Sequence, residues 1–488
     1  MKRISIDPIT RLEGHGKIDI FLNEQGDVAN AYLQIPELRG FEQFCVGRPV
    51  EDMPNLTARI CGVCPEAHHM AATKALDAVF HVDPPPTAKK LRELFYSIFF
   101  VTDHTTHFYA LGGPDFVVGP TAPKAQRNIL GVIAKVGMDV AGKVLKMRRD
   151  GHELIKMMGG RPVHPNWGLP GGVSRGINQE QRKTIEQLGR EAIEFAKFSL
   201  KLFDDLVLKN TEYVKLITGD VYVHRTYNMG MVDANNCTNF YDGKIRVTSP
   251  SGKEHAKYDP ADYRQYVAER VEPWTYLKFP YLKQVGWKGF VDGEDSGVYK
   301  ATPLSRCNAA DGMATPLANA EYKRMYETLG GKPIHHTLAT HWARLIEILY
   351  AAERWVELAA DPEITGKDYR VLPTQTPTEG VGCVEAPRGT LTHHYWTDSR
   401  GIVTKVNLIV GTTNNNAPIS MSVKRAAEKL IRGGKVSEGL LNMVEMAFRA
   451  YDPCFGCATH SLPGQMPLEV NIRGPQGQLL ERLTQYVG

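Results

Sequence analysis

Apolar residues near the start of the chain alternate with polar ones. Ile18, Ile20 and Leu22 share one parity, a turn follows at Asn23 to Gly26, and Val28 opens a second run. Period-two alternation broken by a short polar turn predicts a β-hairpin within the first 35 residues. After the VDPPP break at 82–86 the spacing becomes helical, with Leu91, Leu94, Phe95 and Ile98 on one stripe. A second helix is predicted over 139–158, stopped by Gly159, Gly160 and Pro162. The clearest pattern runs from Gln179 to Leu208, where Ile185, Leu188, Ala192, Phe195, Leu202 and Leu206 keep the 3.6-residue period. Further helices are predicted from Leu338 through Trp342, Leu345, Leu349 and Val356, and in the segment leading up to Ala450. Short strands are predicted around Val221, at Ile245 and Val247 before a Ser251-Gly252 turn, and at Val406, Leu408 and Val410. The sum is an α+β fold, predominantly α, with a long-helix bundle core and small peripheral β-sheets.

No repeat, low-complexity linker or charge block divides the 488 residues, and Gly/Pro-rich stretches such as GLPGGVSRG read as structured loops inside one body. With 42% hydrophobic and 23% charged residues the chain is an ordinary globular one, and a net charge of +4 without a dense basic run argues against nucleic acid. The N-terminus MKRISIDPITRLEGHGK carries neither an apolar signal core nor a twin-arginine signal, and no apolar run is long enough to span a membrane. A cytoplasmic location is the expectation.

Eight cysteines are too few for a disulfide scaffold in a chain this long, yet four fall in two Cys-x-x-Cys pairs, Cys61/Cys64 in RICGVCPEAHH and Cys454/Cys457 in DPCFGCATH. Each pair can turn two sulfurs toward one metal, so together they predict a four-thiolate site. A structural zinc site usually closes a loop of about 15–20 residues, whereas nearly the whole chain separates these pairs. A thioredoxin-like redox pair would explain only one of them. Soft thiolate ligation leaves zinc, copper(I), iron-sulfur and nickel open.

The two cysteine motifs resemble the paired signatures of the large subunit of nickel-iron hydrogenases. DPITRLEGH (7–15), RGFE (39–42), PDF (114–116), EAPRGTLTHHY (385–395) and VGTTNNN (410–416) follow in the family's order. The resemblance implies that family's fold and the reversible heterolytic cleavage of dihydrogen to protons and electrons. It implies a nickel-iron centre with carbon monoxide and cyanide on the iron, Cys61 and Cys454 as terminal nickel ligands and Cys64 and Cys457 as bridging ones. Cys454 is then the candidate base and Glu13 the first proton relay, against a plain salt bridge to Arg11. Arg388 is expected over the diatomic ligands, paired to Asp115 and Asp452, because a fixed fork of donors suits cyanide nitrogens. Thr412 and Thr413 are both candidate donors to a second cyanide, since GTTNN departs from the Pro-Ser/Thr-Thr-Trp-Asn form of membrane-bound relatives. His68 is expected to bond a bridging sulfur, His69 and His394 to be structural, and Glu42 and His460 to bind a separate magnesium or iron ion near the C-terminus.

The resemblance also divides the chain into a single domain, 1–460, and an extension, 461–488, cut off after His460 by a maturation endopeptidase once a nickel chaperone has delivered the metal. The alternative for the tail is a permanent hairpin, LEVNI and LLERL around a GPQG turn. The remaining cysteines, Cys45, Cys237, Cys307 and Cys383, are scattered singly, so electrons must leave through a small subunit with iron-sulfur clusters. GQMPLEV, WTYLKFPYLK and APRGTLTHHY most resemble the family's cytosolic branch, which implies an NAD-linked diaphorase or a heterodisulfide reductase module as acceptor. The alternatives are a hydrogen-sensing regulatory subunit or a non-catalytic scaffold like the quinone-pocket subunit of complex I.

Overall fold

The computed structural model describes residues 2–459, 468–473 and 478–485. Its centre is helical. The principal helices are α1 (Pro65–Val79), α2 (Pro86–Thr106), α3 (Met138–Gly159), α4 (Gln179–Phe203), α5 (Thr340–Ala360), α6 (Asn416–Leu430) and α7 (Glu438–Arg449). Helix α5 packs against both α4 and α2, and α2 against α3. Residues 340–353 of α5 are buried on every face, as a helix running through a core must be. Helix α4 starts at a reciprocal cap, in which Asn178 Oδ1 accepts from Gln181 N at 2.8 Å and Gln181 Oε1 accepts from Asn178 N at 2.9 Å. Its α-helical part ends at Phe203 and passes into a π-helical turn, Asp204–Leu208, which together fill the predicted span. Gly160, in the left-handed region at φ +83°, stops α3 where the Gly-Gly pair predicts.

The strands are peripheral. β1 (Lys2–Ile6), β2 (Lys17–Leu22) and β3 (Val28–Gln34) form an antiparallel sheet that buries Ile18, Ile20 and Leu22. The predicted hairpin is therefore the β2–β3 part of a three-stranded sheet. A six-stranded sheet is built on β4 (Tyr227–Val232), β5 (Lys244–Thr248) and β6 (Glu254–Tyr258). No strand forms at Val221: that segment turns, Val223 makes an isolated bridge to His336, and the strand begins at Tyr227. A third sheet, β7 (Glu379–Ala386), β8 (Gly389–Thr397) and β9 (Val403–Ile409), packs through β7 on α1. Val410 lies one residue past β9, at the bend into the Gly411–Asn415 loop. In the tail, β10 (Leu468–Arg473) pairs antiparallel with β11 (Leu479–Gln485), the hairpin its sequence allows. Among the described residues no helix is long and apolar enough to cross a membrane.

Candidate metal centre

Segments near residues 13 and 454 meet beside the start of α1. Residue Glu13 forms a parallel bridge with Cys454: Glu13 N donates to Pro453 O at 3.4 Å, and Phe455 N donates to Glu13 O at 3.0 Å. Gly14 and Gly456 make this approach possible. A Cβ on Gly14 would stand 2.9 Å from Gly456 N, and one on Gly456 would stand 2.6 Å from Glu13 Oε1. Arg39 ties the junction by donating to both Ile60 O and Gly456 O.

On one side of the junction, Cys61 follows a 3-10 turn and Cys64 caps α1 with Pro65 at the first helical position. Cys61 Sγ accepts the N–H groups of Val63 at 3.1 Å and Cys64 at 3.3 Å. On the other side, Cys454 precedes the short helix Phe455–Ala458, which carries Cys457. The four sulfurs close on one another: Cys61–Cys454 at 3.3 Å, Cys64–Cys457 at 3.6 Å, Cys454–Cys457 at 2.9 Å, all within 4.8 Å and all buried.

Crowding splits their acidities. Burial pushes the Cys61 thiol up, but donation from the three neighbouring thiols outweighs it and holds Cys61 well below the ordinary value. Burial and the neighbouring sulfurs drive Cys454 and Cys457 far the other way. Four buried sulfurs cannot all shed protons unless a cation takes their place. The donor set is soft, convergent and short of positive charge, so it fits a thiophilic metal.

Around the sulfurs, Cys454 Sγ lies 3.0 Å from Glu13 Oε2, which also accepts from Gly456 N at 2.9 Å. Burial, then the adjacent Cys61 sulfur, raises the Glu13 carboxyl above its usual range. His68 Nε2 lies 3.4 Å from Cys457 Sγ, and its Nδ1 faces His393 Nε2 at 3.1 Å. Arg388 is clamped between two carboxylates, Nη1 to Asp103 Oδ2 at 3.1 Å and Nη2 to Asp452 Oδ2 at 3.0 Å. Thr412 Oγ1 accepts from Cys454 N at 2.9 Å, while Thr413 Oγ1 is buried without a hydrogen-bond partner among the described residues.

A family profile described as "Nickel-dependent hydrogenase" matches residues 39–135 and 216–460, and one described as "HoxL-like" matches residues 3–38. The chain belongs to the nickel-dependent hydrogenase family. It is an oxidoreductase acting on dihydrogen, of the hydrogenase large-subunit type. It is 49% identical over 487 residues to an iron-sulfur subunit of the F420-non-reducing hydrogenase of Archaeoglobus profundus, with 100% of both chains covered. It is 38% identical to the "NAD-reducing hydrogenase HoxS subunit beta" of Cupriavidus necator, covering 98% of this chain and 99% of that one. Among solved structures, an NAD+-reducing [NiFe]-hydrogenase in the H2-reduced state matches with TM-score 0.88 and 38% identity, covering 94% of this chain and 100% of that one.

For this hydrogenase the structure brings Cys61, Cys64, Cys454, Cys457, Glu13, His68, Arg388, Asp452 and Thr412 together. It does not bring Asp115. That carboxylate pairs with Arg11 Nη2 at 2.5 Å and Arg449 Nη1 at 3.2 Å, accepts from Asn442 Nδ2 at 3.1 Å, and leaves Arg388 to Asp103. Arg11 is thereby taken, and the salt bridge expected between it and Glu13 as the alternative does not form. Glu42 Oε1 accepts from Leu408 N at 2.7 Å, but its predicted companion His460 lies outside the described residues. His69 is structural, bonded to Pro54 O and Gly168 N, and so is His394, bonded to Tyr263 and Glu379. Sequence reasoning missed Asp103, His393 and His164, whose Nε2 lies 3.1 Å from Cys61 O. His393 stands in the motif EAPRGTLTHHY, so its neighbourhood was signalled. Asp103 and His164 carry no local signal.

Proposed function

We propose that Cys61, Cys64, Cys454 and Cys457 hold nickel, that Cys64 and Cys457 also bridge to an iron bearing carbon monoxide and cyanide, and that dihydrogen is cleaved there reversibly and heterolytically. When bound, such a centre supplies the soft Lewis-acidic sites at which the H–H bond is polarised. The observation that carries the reading is the 3.0 Å contact between Cys454 Sγ and Glu13 Oε2 inside the four-sulfur cluster. Cys454 Sγ takes the proton and Glu13 Oε2 receives it, a transfer helped by the raised proton affinity of a carboxyl buried beside Cys61. His68 steadies Cys457, one of the bridging sulfurs, through Nε2. Arg388 presents a rigid donor fork to the iron's diatomic ligands, set by Asp103 and Asp452. Thr413 offers an uncommitted buried hydroxyl for the second cyanide, and Thr412 fixes the backbone of Cys454.

Among the described residues the four-cysteine group is the one set of three or more His, Cys, Asp or Glu side chains gathered closely enough to hold a metal, which supports electron exit through an iron-sulfur small subunit. Leu38, Phe44, Val46 and Val63, in the segments that carry Arg39 and the Cys61–Cys64 loop, are exposed apolar side chains available to it. Beyond that subunit the acceptor is an NAD-linked diaphorase or a heterodisulfide reductase module, in the cytoplasm, in keeping with relatives named as NAD-reducing and F420-non-reducing hydrogenases. Glu42 and His460 bind a hard ion, magnesium or iron. The extension 461–488 is removed by an endopeptidase after a nickel chaperone has acted, a reading supported by the family match ending at residue 460.

Metal analysis with infrared spectroscopy of the purified complex tests the assignment. Nickel with carbon monoxide and cyanide bands is expected. Stoichiometric zinc without those bands would overturn it. Intact mass of the mature chain tests the cut after His460.

A further inference from the structure

Arg388 occupies an awkward turn. Residues Ala386 and Gly389 are the last paired positions of β7 and β8, so Pro387 and Arg388 form a two-residue hairpin loop. The favoured two-residue loops need positive φ at the first central position, which the proline ring forbids. Gly389 absorbs the difference at φ +148°, where a Cβ would stand 2.5 Å from Gly411 O. A turn of unfavoured twist needs outside support, and every carbonyl of this one has it. Arg306 Nη1 donates to Ala386 O at 2.9 Å, Arg306 Nη2 to Pro387 O at 3.3 Å, and Asn415 Nδ2 to Arg388 O at 2.7 Å.

Arg306 is fully buried and is itself held from α5. Glu347 Oε1 accepts from Arg306 Nε at 2.6 Å and Glu347 Oε2 from Arg306 Nη2 at 2.6 Å, while Glu385 Oε2 takes Nη1 at 3.0 Å. The second oxygen of Glu347 also meets His104 Nε2 at 2.8 Å, and His104 is the neighbour on α2 of Asp103, which grips Arg388. One carboxylate thus fixes both the backbone beneath Arg388 and the helix that supplies its counter-charge.

We propose that Glu347, acting through Arg306 and His104, is the positioning residue that sets the Arg388 guanidinium over the metal centre. The proposal rests on the reading of Arg388 given above. Among the described residues Glu347 bonds to Arg306 and His104 and to no group that bonds the four sulfurs, so it serves by geometry. Its two-oxygen grip on a guanidinium is a planar, bidentate contact that an amide reproduces on one side only.

The test uses the assembled complex with Glu347→Gln, Arg306→Lys and Arg388→Lys, measuring nickel content, infrared bands of the iron's diatomic ligands, hydrogen-dependent dye reduction per nickel, and hydrogen–deuterium exchange of the 386–389 segment. Glu347→Gln and Arg306→Lys are expected to keep nickel, speed exchange at 386–389, shift or broaden the bands and slow turnover about tenfold or more, reproducing part of the Arg388→Lys effect. Nickel retained with unmoved bands and turnover within about twofold, while Arg388→Lys changes both, would overturn the positioning role alone. Unmoved bands in Arg388→Lys as well would remove Arg388 itself. Loss of nickel in both network variants would assign the network to assembly and also overturn the proposal.

Discussion

Replacing Glu13 with glutamine isolates the proton step. The side chain keeps its shape, and one oxygen still accepts the Gly456 N–H that now reaches Oε2 at 2.9 Å. The four sulfurs lose no bond to the metal, so nickel content should match that of the unaltered complex. What disappears is a group able to take a proton from Cys454 Sγ at 3.0 Å and give it up again. An amide has no such affinity near neutral pH, whereas burial has lifted the Glu13 carboxyl toward the thiols it serves. Positioned acid–base groups contribute about 10²–10⁴-fold, so turnover should fall by that order. Stability should not fall, because a partly buried carboxyl is exchanged for a neutral amide. The assay is hydrogen-dependent dye reduction per nickel, alongside exchange of D2 with solvent protons, which needs the same exit. Turnover and exchange both within about twofold of the unaltered complex would show that protons leave by another path and remove Glu13 from the mechanism.

Three further outcomes follow from named contacts. Cys454→Ser should abolish hydrogen-dependent dye reduction; retained activity would exclude its sulfur as the base. Asp115→Asn leaves Arg11 without its carboxylate and Arg449 with Glu445 alone, and should cost about 3 kcal/mol in chemical denaturation, while turnover per nickel stays within about twofold; a selective loss of turnover would return Asp115 to the metal centre. Lys300 is buried, donates to His224 O at 3.2 Å, and burial pushes its ammonium down to about 7. The unfolded state binds that proton up to an ordinary lysine value, so this group makes stability rise with pH between about 7 and 10. Lys300→Met should therefore stabilise the chain, by on the order of 4 kcal/mol at neutral pH, and the gain should shrink as pH approaches 10. A gain independent of pH would refute the buried-charge account.

How much of this was legible depended on how far each signal reaches along the chain. The long helices were readable because burial of Ile185, Ala192 and Phe195 recurs within one element. The sulfur cluster was readable because each half is a four-residue motif. Of the two carboxylates on Arg388, Asp452 was readable from its motif and Asp103 was not. Asp103 sits in the last turn of α2 among threonines and histidines with nothing to distinguish it, and a π-helical turn at His107–Gly112 separates it from Asp115. Such a turn rotates everything beyond it without leaving a compositional mark, so Asp103 faces Arg388 and Asp115 faces Arg11. The strand expected at Val221 failed for a similar reason. A few apolar residues in a row describe burial as well as they describe extension, and Tyr222 is buried in a turn.

The bridge between Glu13 and Cys454 spans 441 positions. A ribosome releases the first of these residues long before it makes the second, so the pocket cannot close until the second has been made, and the amino-terminal segment has to wait with two of the four sulfurs. Any factor that loads this centre therefore acts on a finished polypeptide, and a truncated transcript yields no partial catalyst.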